Sequence, residues 1–498
     1  MAAPGSCLSP LVALALLAAG FAGFRVTCGG GAAAVDPLAA LGVLVACGAL
    51  LLSRYLRWRS AGPAERRVCV VVLGDVGRSP RMQYHALSLG RHGYQVDLVG
   101  FLGTKPHDDV LNEDNIKITP ITDVKGVQVG PRVVSYVTKV ILQSFLILFT
   151  LMKTQRPSHI LLQNPPGLPS MAVCWLLCVL RGGRLVVDWH NYGFTILALT
   201  HPETHPLVRL AKWYERFFGP LAAHHLCVTA AMKEDLQENW GIRATTLYDR
   251  PPSIFRETPL ELRHQLFLRL AKTLPAFRGE EQGEEEQTAF TLRNPADLSV
   301  TWRTDRPALL VSSTSWTEDE DFSVLLKALE EYERCVREGR GLPALVCVIT
   351  GKGPQKQYYK KLIDGLHFEH VEICTPWLEA EDYPTLLGSA DLGVCLHRSS
   401  SGLDLPMKVV DMFGCCLPVC AINYNCLSEL VKHEENGLVF RDSQELASQL
   451  QSLLSGFPRA EGRLEEFRRS LQTSRGQRWH ENWTQTVLPL IAVTTPSP

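Results

Sequence analysis

Neither sign of charge dominates this chain. Lys and Arg number 50 against 51 Asp and Glu, a formal net charge of −1. No whole-molecule field therefore draws it to nucleic acid or to a strongly acidic partner. No pair of CxxC motifs occurs, and the 15 cysteines are odd in number. Many of them, such as Cys69, Cys174, Cys178, Cys347 and Cys395, lie in apolar runs. Buried reduced thiols fit that placement better than a disulfide framework, and they put the globular part on the cytosolic side of a membrane. There is no fixed-period repeat. A complete GxGxxG dinucleotide fingerprint and a GxxxxGK[ST] phosphate loop are also missing, although partial likenesses to both occur.

What is present is a long chain with enough apolar sequence for several cores. Its 498 residues, 46% hydrophobic and 20% charged, suit two or three globular domains plus some membrane-seeking sequence. The latter is N-terminal. Residues 8–24 and 37–52 are apolar stretches near the lower limit of ~17 to 20 residues for a spanning helix. Arg54, Arg57 and Arg59 follow the second directly, and Arg66 and Arg67 come soon after. The positive-inside tendency then places the rest of the chain in the cytosol, behind a membrane anchor within residues 1–60. The first stretch reads as a cleaved signal, as half of a membrane hairpin or as an extension. On this topology the lone sequon Asn482-Trp483-Thr484 is expected to carry no glycan.

From Arg67 the pattern changes to β-branched runs that alternate with helical periodicity, as in RVCVVVLGD, YQVDLVG, SHILLQ, RLVVDW and HHLCVT. This predicts a parallel α/β domain over residues 66–244. The alternation restarts with PALLVSS, ALVCVIT, HVEICT, ADLGVC and LPVCA, predicting a second such domain over 307–454. Residues 245–306 read as a linker. Its acidic run GEEQGEEEQ, residues 279–287, lacks any apolar anchor and is expected to be a solvated, disordered loop. Residues 455–498 read as a helical segment packing back on both domains. Residues 133–152 are apolar nearly all round, and a buried or membrane-grazing helix between two strands fits them better than a third span, which would tear the first sheet apart. Residues 205–219, HPLVRLAKWYERFFG, mix Arg209, Lys212 and Arg216 with Trp213, Phe217 and Phe218. They suit either an interfacial helix or an ordinary surface helix.

Parallel sheets bind ligands at the carboxyl ends of their strands, so chemistry is sought just past each one. GDVGRSPR, residues 74–81, offers Asp75, Gly77 and Arg78 in a strand-to-helix turn. VVDWHNYG crowds Asp188, His190, Asn191 and Tyr192 at the end of an apolar strand, where unpaired polar groups cost folding energy unless they are used. His and Asp in that position suit proton transfer. In the second domain VITGKGP holds Gly351, Lys352 and Gly353, a loop able to approach phosphate. Trp377 offers a stacking face to a base. SSSGLDLPMKVVDMFG, residues 399–414, holds Ser400, Ser401, Gly402, Asp404, Lys408 and Asp411 at the mouth of a helix. Asp319-x-Asp321 mimics a metal-binding DxD, but acids at a helix start favour the macrodipole without a metal.

These segments, together with LQNPPGLPS, SSTSWTEDEDF, CTPWLEAEDYP, GSADLGVCLH and HEENGLVF, resemble the chitobiosyldiphosphodolichol β-mannosyltransferase family, glycosyltransferases of the two-domain GT-B type. The resemblance implies two Rossmann-like domains facing a cleft. It also implies inverting transfer of mannose from GDP-mannose to the second GlcNAc of a dolichyl-diphosphate-linked chitobiose, giving a β-1,4 link. The expected place is the endoplasmic reticulum membrane, with the catalytic domains on its cytosolic face and other mannosyltransferases of the pathway as partners. No metal or other cofactor is implied, because lysines and helix dipoles stabilise a GDP leaving group. The implied donor set is Gly351, Lys352, Gly353, Trp377, Ser400, Ser401, Gly402, Asp404, Lys408 and Asp411, with Asp411 on the ribose. Leu403 stands where related enzymes carry a Glu, so Asp404 either takes over a sugar contact or caps the helix. The implied acceptor set is Gly77, Arg78, Asn191 and Tyr192. The base is Asp188 or His190, with Asp75 in reserve. Competing readings are a GT-B enzyme with another donor or lipid acceptor, and an inactive membrane-tethered paralogue.

Overall fold

The computed structural model describes residues 66–123, 132–279, 286–379, 381–458, 462–474 and 476–492. Both N-terminal apolar stretches, the anchor expected there and most of the acidic run lie outside these residues. The first sheet is parallel and seven-stranded: β1 (Arg67–Asp75), β2 (Gln95–Phe101), β3 (Ile116–Pro120), β4 (His159–Asn164), β5 (Arg184–Trp189), β6 (His224–Cys227) and β7 (Thr245–Thr246), in the order 3-2-1-4-5-6-7. Its strands are apolar on both faces because both faces are covered. Cys69 and Val71 pack on one side with Ile160, Leu162 and Val187. Val68, Val70 and Val72 pack on the other with Leu98, Leu161 and Val186.

Residues 245–306 are not a bare linker. Thr245–Thr246 extends the first sheet, and the segment then folds onto the second domain. Helix Leu260–Ala271 is followed by a small antiparallel sheet, β8 (Glu286–Gln287), β9 (Thr291–Arg293) and β10 (Val300–Trp302). Phe267, Phe277 and Phe290 from this segment share one core with Leu309, Val311, Val346 and Val348. The acidic run masked these flanking apolar residues in the sequence.

The second sheet repeats the first: β11 (Ala308–Ser313), β12 (Leu345–Thr350), β13 (Val371–Cys374), β14 (Leu392–Cys395), β15 (Val419–Ile422) and β16 (Gly437–Phe440), in the order 13-12-11-14-15-16. In each sheet the strand order reverses direction beside the first strand, between β1 and β4 and between β11 and β14. These switch points open a crevice at the carboxyl ends.

The chain then returns. Phe467 of helix Arg463–Thr473 packs into the second domain. Trp479 and Trp483 of helix Trp479–Thr486 pack into the first. The sequon residue Asn482 is tied down there, its amide donating to the Tyr248 carbonyl at 3.2 Å. Helix Arg132–Lys153 connects β3 to β4. Its Ile147 and Leu151 are buried on the first sheet, while Val137, Ile141, Phe145 and Phe149 form an exposed stripe at four-residue spacing. Residues Ser135–Lys153 are long and apolar enough to cross a membrane. Both ends nevertheless feed strands of one sheet, which keeps the helix on that sheet's face. All 12 cysteines among the described residues are buried and unbridged.

Candidate active site

Asp188, at the end of β5, is fully buried and has four donors around it. Arg81 grips it with both arms, Nε to Oδ2 at 2.8 Å and Nη2 to Oδ1 at 2.9 Å. His85 Nε2 lies 3.1 Å and His190 Nε2 2.7 Å from Oδ2. Burial pushes this carboxyl up, but the Arg81 guanidinium outweighs it and holds the group well below the usual carboxylate range. An ionised carboxylate only accepts, so both histidines donate from Nε2. The Trp483 indole N–H donates to His85 Nδ1 at 2.8 Å, which independently requires the His85 proton on Nε2. Neutral His190 then carries its lone pair on Nδ1, and that atom has no hydrogen-bond partner among the described residues. The ring is partly exposed, whereas Asp188 is not. Arg81 also reaches Asp249 Oδ1 at 2.7 Å and the Leu247 carbonyl at 2.9 Å.

A second buried group sets the backbone of this loop. Asn164, at the end of β4, accepts the His190 N–H on its own carbonyl at 2.8 Å and donates from Nδ2 to the Asn191 carbonyl at 3.2 Å. The same Nδ2 lies 3.1 Å from Glu215 Oε1, which also accepts the Gly193 N–H at 2.8 Å. Burial pushes the Glu215 carboxyl up to about 7, against those N–H donors. The folded protein thus holds this proton at pH values where the unfolded chain, with a Glu near ~4.3, has lost it. Stability contributed here is present at low pH and falls as pH rises toward 7. Glu215→Gln is expected to remove a decline of about 3 kcal/mol between pH 4.5 and 7, read as the difference between variant and wild-type urea unfolding curves. Parallel curves for the two proteins would contradict this.

The second-domain side is ordered by its own charges. Glu320 is buried, accepts the Ser315 N–H at 2.9 Å and the Thr314 hydroxyl, and pairs with Lys408. Burial pulls His397 down, but Asp319 at 2.7 Å from Nδ1 and then Asp404 at 3.7 Å from Nε2 outweigh it and push it up to about 9. His397 is therefore a fixed cation under the serine loop. Asp319 serves this pair, and Asp321 caps helix Phe322–Arg337 through the Ser323 N–H at 2.9 Å. The DxD-like pair is thus occupied by structural contacts.

Asp404 does not cap the following helix Met407–Gly414, whose N-cap is Pro406. It accepts from the Ser399 hydroxyl and, across the cleft, from Asn191 Nδ2 at 2.7 Å. Ser400 Oγ also faces the first domain, 3.2 Å from Asn191 Nδ2 and 3.0 Å from the Thr195 hydroxyl. Ser401 Oγ accepts the Leu403 N–H at 3.2 Å, and Gly402 (φ 74°) turns the loop. Gly351 and Gly353 bring backbone against backbone: a Cβ at these positions would lie 1.8 Å from the Thr314 carbonyl oxygen and 1.7 Å from that of Ser315. Lys352 Nζ sits 3.5 Å from the Trp377 ring centroid, and both side chains are exposed. Asp411 has no hydrogen-bond partner among the described residues, and burial and then Asp249 push its carboxyl well up.

In the first domain, Asp75 accepts backbone N–H groups of Gly77, Gly103 and Thr104 at 3.1 to 3.3 Å. Arg78 is exposed beside it. Gly77 lies against the Thr104 carbonyl. Tyr192 is buried, stacked on Trp240 at 4.9 Å and bonded to Asp235 Oδ2 at 2.6 Å. One set of potential metal ligands occurs among the described residues: Glu333, Glu369 and His370. Glu333 there already accepts the N–H groups of Glu369, His370 and Val371 at the start of β13, away from the carboxyl ends.

Sequence reasoning missed Arg81, His85, Asn164, Glu215, Glu320 and His397. Arg81, Asn164, Glu215, Glu320 and His397 all lie in segments named above, but nothing local pairs Arg81 or Asn164 with residues 107 and 51 positions away.

Two parallel sheets in one strand order, joined across their carboxyl ends by Asn191, Ser400 and Asp404, define a GT-B glycosyltransferase. Residues 76–247 match the glycosyl transferase 4-like domain family, and residues 306–456 match glycosyl transferases group 1. The crystal structure of HepE of Anabaena in complex with UDP and glucose is similar in fold, with a TM-score of 0.55 at 15% identity, covering 86% of this chain and 99% of that one. The chitobiosyldiphosphodolichol beta-mannosyltransferase of Homo sapiens is 60% identical over 448 residues, 89% of this chain and 96% of its own. The UDP-glycosyltransferase TURAN of Arabidopsis thaliana is 46% identical over 453 residues, 85% of this chain and 97% of its own. The chain belongs to the chitobiosyldiphosphodolichol β-mannosyltransferase family.

Proposed function

We propose that this protein transfers mannose from GDP-mannose to chitobiosyl-diphosphodolichol with inversion, forming the β-1,4 link. The observation that supports a working enzyme is the Arg81–Asp188–His190 relay at the end of β5, intact in a chain of this family. His190 Nδ1 takes the proton of the acceptor's 4-hydroxyl as that oxygen attacks C1 of mannose. The bond from C1 to the β-phosphate oxygen breaks, and GDP departs with the electron pair. Asp188 stabilises the imidazolium that forms, and Arg81 keeps Asp188 ionised. On the donor side Lys352, Lys408 and the first N–H groups of helix Met407–Gly414 face the diphosphate, and the mechanism needs no metal. A lipid-linked acceptor requires membrane association. The exposed stripe Val137, Ile141, Phe145 and Phe149 supports it, and the proposed location is the cytosolic face of the endoplasmic reticulum.

The test is radiolabelled GDP-mannose with phytanyl-diphosphochitobiose, with and without EDTA, run beside UDP-glucose and UDP-GlcNAc. A β-mannosylated product unaffected by EDTA is expected. No product from folded enzyme would overturn the enzyme reading, and transfer only from a UDP-sugar would overturn the donor. Full loss on chelation would overturn the metal-free mechanism.

A further inference from the structure

Helix Pro206–Phe218 has a buried side, Val208, Ala211, Tyr214 and Glu215, and an exposed side made of two parallel stripes. One is Leu210, Trp213 and Phe217, all large and exposed. The other is Arg209, Lys212 and Arg216, also exposed. The two stripes share the same three- and four-residue steps, so each cation stands beside an apolar side chain. None of the three cations has a hydrogen-bond or ion-pair partner among the described residues. Lys212 Nζ sits only over the Phe194 ring, 5.0 Å from its centroid.

Beside this helix lies a cavity of about 560 Å³ between the two domains. Lys212 and Arg216 line it from helix Pro206–Phe218, Asp235, Glu238 and Asn239 from helix Ala230–Trp240, and Ser401 and Leu403 from the second domain. Asp235 is already engaged by the Tyr192 hydroxyl and by Asn239 Nδ2 at 2.8 Å. Thr195, also in the lining, bonds Ser400 and Asn191, so the cavity adjoins the loop that carries His190.

We infer that this cavity binds the prenyl-diphosphate end of the acceptor, with Lys212 and Arg216 on the phosphates and the chain leaving along Trp213 and Phe217. The inference rests on the proposed function and adds a subsite to it. The lining carries both kinds of group that the ligand needs. Carboxylates and an amide suit sugar hydroxyls, whereas two unpaired cations suit a diphosphate. A prenyl diphosphate joins its charge directly to an apolar chain, and this helix face sets its cation stripe directly beside its apolar stripe. Binding there also points the sugar toward the loop of residues 190–195.

The test uses Lys212→Met/Arg216→Met in the full chain, with farnesyl diphosphate as probe. Farnesyl diphosphate is expected to inhibit the wild type competitively against the lipid acceptor and not against the nucleotide sugar. In the double variant, the acceptor KM and the farnesyl diphosphate inhibition constant should each rise by about tenfold or more, while the donor KM stays within about twofold. Lys212→Arg/Arg216→Lys should restore both. Unchanged values, an equal rise in donor KM, or competition against the donor would each overturn the subsite. Quenching of tryptophan fluorescence by farnesyl diphosphate is measured alongside. If the wild type makes no product, the functional reading fails. Quenching that is lost in the double variant still supports the subsite, and quenching that persists overturns it.

Discussion

His190→Ala is expected to lower turnover by roughly 10²- to 10⁴-fold while leaving the donor KM near its wild-type value. His190 is the member of the relay able to meet a substrate. Asp188 has no exposed surface, and both of its oxygens are engaged by Arg81, His85 and His190. His85 is sealed between Asp188 and Trp483. Asp75 takes three backbone N–H groups on Oδ1, and its Oδ2 lies 3.8 Å from Arg78 Nε. Only the imidazole of His190 combines partial exposure, a tautomer fixed from behind and an unused nitrogen. Steady-state kinetics of His190→Ala beside Asp188→Asn make the check. Loss in both variants fits base and positioning group. Wild-type turnover in His190→Ala with loss in Asp188→Asn would hand the proton to Asp188. Wild-type turnover in both would remove the relay from the mechanism.

Arg81→Met is expected to destabilise the fold by about 3 to 5 kcal/mol, because it leaves the Asp188 carboxylate buried without its cation. Arg81 is itself 2% exposed, bonds three separate partners and lies 5.3 Å from the Trp479 ring of the returning C-terminal helix. It therefore couples β5, the segment after β7 and the chain's last helices. Chemical denaturation gives the measurement. Arg81→Met/Asp188→Asn should cost less than the sum of the single variants by on the order of 2 kcal/mol, since the second change removes the stranded charge. Strict additivity would mean that the pair is not a coupled unit. Turnover of Arg81→Met should also fall, because the His190 tautomer depends on an ionised Asp188.

Much of this arrangement was legible before any coordinates. Buried β-branched runs such as RVCVVVLGD alternating with helical segments specify parallel sheets, since the need to cover both faces is written into each strand. DWHNYG announced itself as three polar residues where an apolar strand ends. What the structure adds is partners. Gly351 and Gly353 of the GKG loop lie against the carbonyls of Thr314 and Ser315, a contact between loops that the sequence does not show. Ser399 and Ser401 hydroxyls hold their own loop's N–H groups. The segment around the acidic run joins the second core through Phe267, Phe277 and Phe290, which its average composition concealed.

By itself the sequence determined the two α/β domains, the strand ends that carry polar chemistry, and the mixed cationic and apolar face of residues 205–219, because periodicity and composition are local properties. Only the tertiary structure decided that Arg81 ionises Asp188, that Asp188 orients His190, that Asn191 meets Asp404, and that Lys212 and Arg216 border a cavity between the domains. Each of those contacts joins residues from different strands or domains, and the strand order that brings them together is a property of the whole sheet.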